Sequence, residues 1–102
     1  MVMAEFSVVP LGKGESVSES IAQVIKLVDE SGLEYQFTPM ATIVEGDMED
    51  VMELIRSCHR KMRETSSRVI TTIKIDDREG ATGRLKGKVE SVEKHLGREL
   101  KK

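Results

Sequence analysis

Residues 2 to 10 alternate so that the apolar Val2, Ala4, Phe6 and Val8 share one face and the mixed set Met3, Glu5, Ser7 and Val9 the other. This spacing predicts a first strand. Pro10-Leu11-Gly12-Lys13-Gly14 breaks it, and Ser16 or Ser18 offers a helix cap, with Glu19 three residues after Ser16 in capping-box register. The following apolar positions, Val17, Ile21, Val24, Ile25 and Val28, recur at helical spacing up to Gly32, a natural helix stop. Residues 33–44 turn to aromatic and β-branched types, interrupted by Pro39, which cannot donate to a central ladder. Two strands, 34–38 and 41–45, or one bent strand satisfy that pattern, because the Asn-Gly or Asp-Gly of a tight hairpin is absent.

Asp47 next caps a second helix whose buried stripe is Met48, Val51, Ile55, Cys58 and Met62. Residues 68–76 alternate again as a strand, with Val69, Thr71, Ile73 and Ile75 on one side and Ile70, Thr72, Lys74 and Asp76 on the other. A polar, glycine-bearing segment, 77–83, leads to a last helix marked by Leu85, Val89, Val92 and Leu96. The order β-α-β-β-α-β-α predicts an α+β, ferredoxin-like sandwich: a four-stranded antiparallel sheet, two helices on one face, and an added C-terminal helix.

Length fits one domain over residues 1–102, large enough to bury a core without disulfides or a structural metal. With 16 Lys and Arg against 18 Asp and Glu, the net charge of -2 lacks the basic footprint of a nucleic-acid binder. Apolar runs are far too short to span a bilayer, and no secretory-type segment is evident, so neither nucleic acid nor membrane is expected as a partner. The single cysteine fits a reducing, cytoplasmic compartment.

Candidate chemistry is sparse. Cys58 and the adjacent His59 diverge by about 100° around a helix, which rules against a nucleophile-base pair. His59 and His95 have no companion at metal-ligand spacing, and Gly12-Lys13-Gly14 lacks the longer phosphate-loop pattern. The sheet face away from the helices is more informative, because it carries Met3, Val9 and Ile70 beside Ser7, Thr72 and Lys74, with Thr42 and Glu45 expected nearby. Apolar positions on such a face predict association through the sheets as a homodimer or homotetramer, and polar groups among them orient small ligands; solvated strand faces carry the same residue types.

Three segments carry a resemblance: Ala4-Glu5-Phe6-Ser7-Val8-Val9-Pro10-Leu11-Gly12, then residues 35–46 with Thr38-Pro39-Met40-Ala41-Thr42-Ile43-Val44-Glu45-Gly46, then residues 68–78 with Arg68-Val69-Ile70-Thr71-Thr72-Ile73-Lys74. Together they resemble the YkoF-like thiamine-binding family over essentially the whole chain. That resemblance implies a ferredoxin-like protein associating through its sheets and binding thiamine or its hydroxymethylpyrimidine part, with no other cofactor. By position it implies Ser7, Thr38, Met40, Thr42, Glu45, Thr72 and Lys74 as ligand residues. An aminopyrimidine offers an exocyclic donor, which Glu45 would accept, and Tyr35 or Phe37 would supply a flat wall. Lys74 suits a cationic ligand poorly, which leaves a second reading open: a regulatory oligomer sensing an anionic metabolite through Lys74, Arg68 or Arg78. Without a nucleophile, metal set or cofactor motif, either reading is of a binding protein rather than an enzyme.

Overall fold

The computed structural model describes residues 1–12, 17–80 and 83–100. Its elements are β1 (Val2–Pro10), α1 (Val17–Glu30), β2 (Glu34–Phe37), β3 (Thr42–Gly46), α2 (Met48–Arg63), β4 (Val69–Asp77) and α3 (Arg84–Leu96). The strands form one sheet in the order β2-β3-β1-β4, each neighbour antiparallel, so the ferredoxin-like α+β arrangement is as expected from the sequence. Ser16, proposed as a cap, and Lys13 and Gly14 of the first loop lie outside the described residues.

Strand alternation sorts the two faces. Val2, Ala4, Phe6 and Val8 of β1, with Val44 of β3, are buried against Val24 and Val28 of α1 and Val51, Leu54, Ile55, Cys58 and Met62 of α2. This is the core, built from one face of the sheet and one stripe of each helix. Leu54 joins the α2 stripe, whereas Met48 is exposed at the helix start rather than buried. Asp47 stands at the N-cap as expected, but its side chain makes no capping hydrogen bond. Burial pushes the Cys58 thiol up to about 11. That is the behaviour of a packing residue rather than a reactive one. At the sheet edge, Tyr35 on β2 donates to Asp29 Oδ1 on α1 at 2.7 Å. That hydrogen bond, with desolvation and the carboxylate charge behind it, raises the phenol.

Between β2 and β3 the chain makes a hairpin, not one bent strand. Thr38 N–H donates to the Ala41 carbonyl at 3.0 Å, closing a turn with Pro39 and Met40 at its tip. The Thr38 hydroxyl replaces the missing Asn-Gly chemistry: it donates to the Ala41 carbonyl at 2.7 Å and accepts from the Met40 and Ala41 amides at 3.3 and 3.1 Å.

The last helix folds back onto the opposite face of the sheet. Arg84, Leu85 and Val89 of α3 lie over Met3, Gln36 and Ile43, which alternation places away from α1 and α2. Leu85 is only 9% exposed there. Half of the face expected to be open is therefore covered by the chain itself, and the β1–β4 half, with Val9 and Ile70, stays exposed. Among the described residues, no helix is long and apolar enough to cross a membrane.

Candidate functional site

Register decides where each candidate side chain points. β3 pairs with β1 only up to Phe6 opposite Thr42, while β1 runs on through Ser7, Val8, Val9 and Pro10 beside β4. Beyond Phe6, the β3 side of β1 is left without a strand neighbour. A cavity of about 150 Å3 lies in that gap, bounded by α1 at Ile21, Val24 and Ile25 and by the Thr38–Ala41 turn. Four consecutive residues of β1, Phe6 to Val9, line it, so it sits beside the strand edge and not over a single face.

Ser7, Thr38, Met40 and Thr42 all line this cavity, drawn together from two strands and a turn. The sequence places Thr42 near the face that bears Ser7 and Thr72. It lies instead on the helix-side face, because it opposes Phe6 and Phe37 in the ladder, and it reaches the cavity from the core side. Neither the Ser7 nor the Thr42 hydroxyl has a hydrogen-bond partner among the described residues, although Thr42 is buried. The Thr38 hydroxyl is committed to its own turn. Met40 is 87% exposed at the rim, a flexible thioether with room to move. Among the described residues, no lining side chain is charged.

Thr72, Lys74 and Glu45 lie outside that cavity. Thr72 opposes Ser7 across the β1–β4 ladder and is exposed on the face left free by α3. Lys74 opposes Glu5, and their side chains form an exposed ion pair at 3.8 Å. Glu45 is three residues beyond Thr42, roughly 10 Å along the strand and on the other face. It is 3% exposed, and its Oε2 accepts from the Arg84 amide at 2.8 Å. Arg84 begins α3, and the N-cap before it is Gly83, which has no side chain to cap with. Glu45 thus supplies a helix cap from another element, with its charge at the positive end of the helix.

A second cavity, about 350 Å3, opens between the sheet and α3 and is lined by Lys74, Asp76, Arg84 and Glu5 among others. It is larger, but its charges are already matched: Glu5 with Lys74, and Asp76 with Arg84, whose guanidinium is 2.8 Å from the carboxylate and 2.6 Å from the Asp76 carbonyl. The smaller cavity, with two unengaged hydroxyls in apolar walls, is the better receptor for a small uncharged ring. Sequence reasoning missed Ile21 and Ile25 as its walls, since helical spacing marks them only as core; of the two aromatic residues expected as a flat wall, Phe37 lines the cavity and Tyr35 does not. It also missed Arg84, whose one signal was its place beside the apolar pair Leu85 and Val89.

Comparison with known proteins agrees with this fold. The chain is 37% identical over 102 residues to the UPF0045 protein YqgV of Bacillus subtilis, covering 94% of this chain and 98% of that one. A crystal structure of a hypothetical protein from Methanocaldococcus jannaschii superposes with a TM-score of 0.82 at 30% identity, covering 89% of this chain and 94% of its own. Another, from Thermotoga maritima and named as a candidate thiamine biosynthesis/salvage protein, superposes with a TM-score of 0.80 at 25% identity, covering 89% and 97%. Residues 4–93, which hold all of the sheet except Val2 and Met3 at the start of β1, match the family described as thiamine-binding protein, and the chain belongs to that family.

Proposed function

We propose that this protein binds thiamine, or its hydroxymethylpyrimidine part, as a carrier or sensor, with the ring seated in the cavity beside the free edge of β1. The observation that carries the reading is the pair of unengaged hydroxyls, Ser7 and Thr42, in a chamber whose described lining is mostly apolar and carries no charge. Hydroxyls both donate and accept, so they match an aminopyrimidine's exocyclic donor and ring-nitrogen acceptors, while Phe6, Phe37 and Ile21 surround its faces. Volume sharpens the reading. At about 150 Å3 the chamber is about half the low end of the usual ligand-pocket range, so it takes one ring and leaves the rest of thiamine toward the rim at Met40 and Val9.

That rim is where sheet-face association would close the site. Val9 and Ile70, opposed in the β1–β4 ladder, remain 44% and 46% exposed beside Ser7 and Thr72. A homodimer or homotetramer packed through this half-face would cover them and enclose the ligand between subunits. Isothermal titration of the folded protein with thiamine and with hydroxymethylpyrimidine tests the reading. Saturable binding of either supports it, and no heat from either at millimolar concentration rejects it.

A further inference from the structure

The chamber beside β1 opens onto the uncovered half of the sheet. Ser7 and Val9 line it, and alternation turns both side chains away from the helices, toward the half-face shared with β4. Ile70 opposes Val9 there. Arg68 continues that row one step before β4 begins. Its carbonyl accepts from the Leu11 amide at 2.9 Å, which carries the ladder past Pro10 and Val69 and fixes the backbone from which the side chain leaves. Alternation gives Arg68 the face of Ile70, so it is a diagonal neighbour of Val9, about 7–8 Å away and within reach of a long side chain. Arg68 is exposed and makes no ion pair among the described residues. Further along the same face, Lys74 is matched by Glu5 and Asp76 by Arg84. Among the described residues, the Val9 rim thus carries one unmatched positive charge beside a chamber that carries none.

We propose, resting on the ring position given above, that Arg68 selects a phosphate ester of thiamine, holding the phosphate on the half-face while the pyrimidine occupies the chamber. Thiamine's second ring separates the pyrimidine from its hydroxyethyl end, so an ester there carries the phosphate past the rim. The thiazolium ring then lies over Val9 and Ile70, the exposed apolar pair between the chamber and Arg68. Without a phosphate, the fixed positive charge of that ring meets the like charge of Arg68. With one, the guanidinium fork meets two phosphate oxygens in a charge-assisted, bidentate pair. An ester on hydroxymethylpyrimidine itself is a different case. Its phosphate stands one carbon from the ring, inside a chamber that offers no cation among the described residues to offset desolvation. The site therefore ranks thiamine phosphate above thiamine, and hydroxymethylpyrimidine above its phosphate.

Calorimetry on the full chain with thiamine, thiamine monophosphate, hydroxymethylpyrimidine and hydroxymethylpyrimidine phosphate tests this ranking. The parent protein is expected to bind thiamine monophosphate about ten-fold more tightly than thiamine, the scale of an exposed charge-assisted pair, with the preference shrinking as salt rises. Arg68→Gln is expected to lose that preference while binding hydroxymethylpyrimidine as the parent does. Arg68→Lys keeps the charge without the fork and is expected to retain part of it. Circular dichroism melting checks that both variants fold as the parent does. Equal or weaker binding of the monophosphate by the parent overturns the proposal and leaves the seating of the unphosphorylated ring intact. A parental preference in folded Arg68→Gln overturns it as well, because the phosphate is then held elsewhere. If none of the four ligands binds, the ring position fails, and the role of Arg68 falls with it.

Discussion

Replacing Glu45 separates a structural role from a ligand role. Its carboxylate accepts from the Arg84 amide at 2.8 Å while almost fully buried, and Gly83 at the N-cap cannot take its place. Glu45→Ala removes a hydrogen bond with a charged acceptor, worth about 1.5–3 kcal/mol, and leaves an orphan amide at a helix start. Glu45→Gln keeps an acceptor oxygen but loses the charge at the positive end of the helix, costing roughly 0.3–1 kcal/mol. For a chain of this length, 1 kcal/mol moves the melting temperature by about 4–8 °C. Glu45→Ala should therefore melt roughly 10 °C lower and Glu45→Gln a few degrees lower by far-ultraviolet circular dichroism. Hydrogen exchange should rise first in α3, the element the carboxylate holds, and affinity for thiamine or hydroxymethylpyrimidine should change little in whatever fraction stays folded. Parental melting together with a large loss of affinity would refute this assignment and return Glu45 to the ligand, as its place in the family-like segment first implied.

Thr42→Val keeps shape but deletes a hydroxyl facing the small cavity, and should weaken pyrimidine binding by roughly 1 kcal/mol, about five-fold by calorimetry, with stability unchanged or improved. Thr38→Val removes the hydroxyl that holds the Pro39–Met40 turn and should lower stability by roughly 1–2 kcal/mol in urea unfolding, with weaker ligand binding because the cavity wall loosens. Burial holds the Cys58 thiol near 11 against an ordinary 9.0, so the unfolded chain binds fewer protons between those values. Its contribution is fully present below pH 9 and lost as pH rises toward 11; urea midpoints should fall across that window, and fall less in Cys58→Ala.

The sheet was legible in the sequence because period-two alternation in β1 and β4 leaves no other face for Phe6 or Val69, and the two-helix layer because Val24, Val28, Ile55 and Met62 keep helical spacing. What stayed hidden depends on contacts distant in sequence. Alternation assigns Thr42 to one of two faces but not to Ser7's side or the other; only the Phe6–Thr42 register does that. No local pattern announces that β3 stops short of Ser7, which is what opens the cavity. Glu45 read equally as a ligand or a solvated strand end, since its partner is the amide of Arg84, 39 residues away. Leu85 and Val89 marked a helix with an apolar stripe, and the surface that stripe covers became clear only with the sheet in place. Ser7, Thr38, Met40 and Thr42 converge because they flank one hairpin and the strand beside it.

Heteronuclear NMR on labelled protein, titrated with hydroxymethylpyrimidine, tests the central claim most directly. The account predicts saturable shifts concentrated at Ser7, Val8, Phe37, Thr42 and the methyls of Ile21 and Ile25, with Lys74 and Arg84 nearly still. Shifts centred on Lys74, Asp76 and Arg84, or none at saturating concentration, would contradict it.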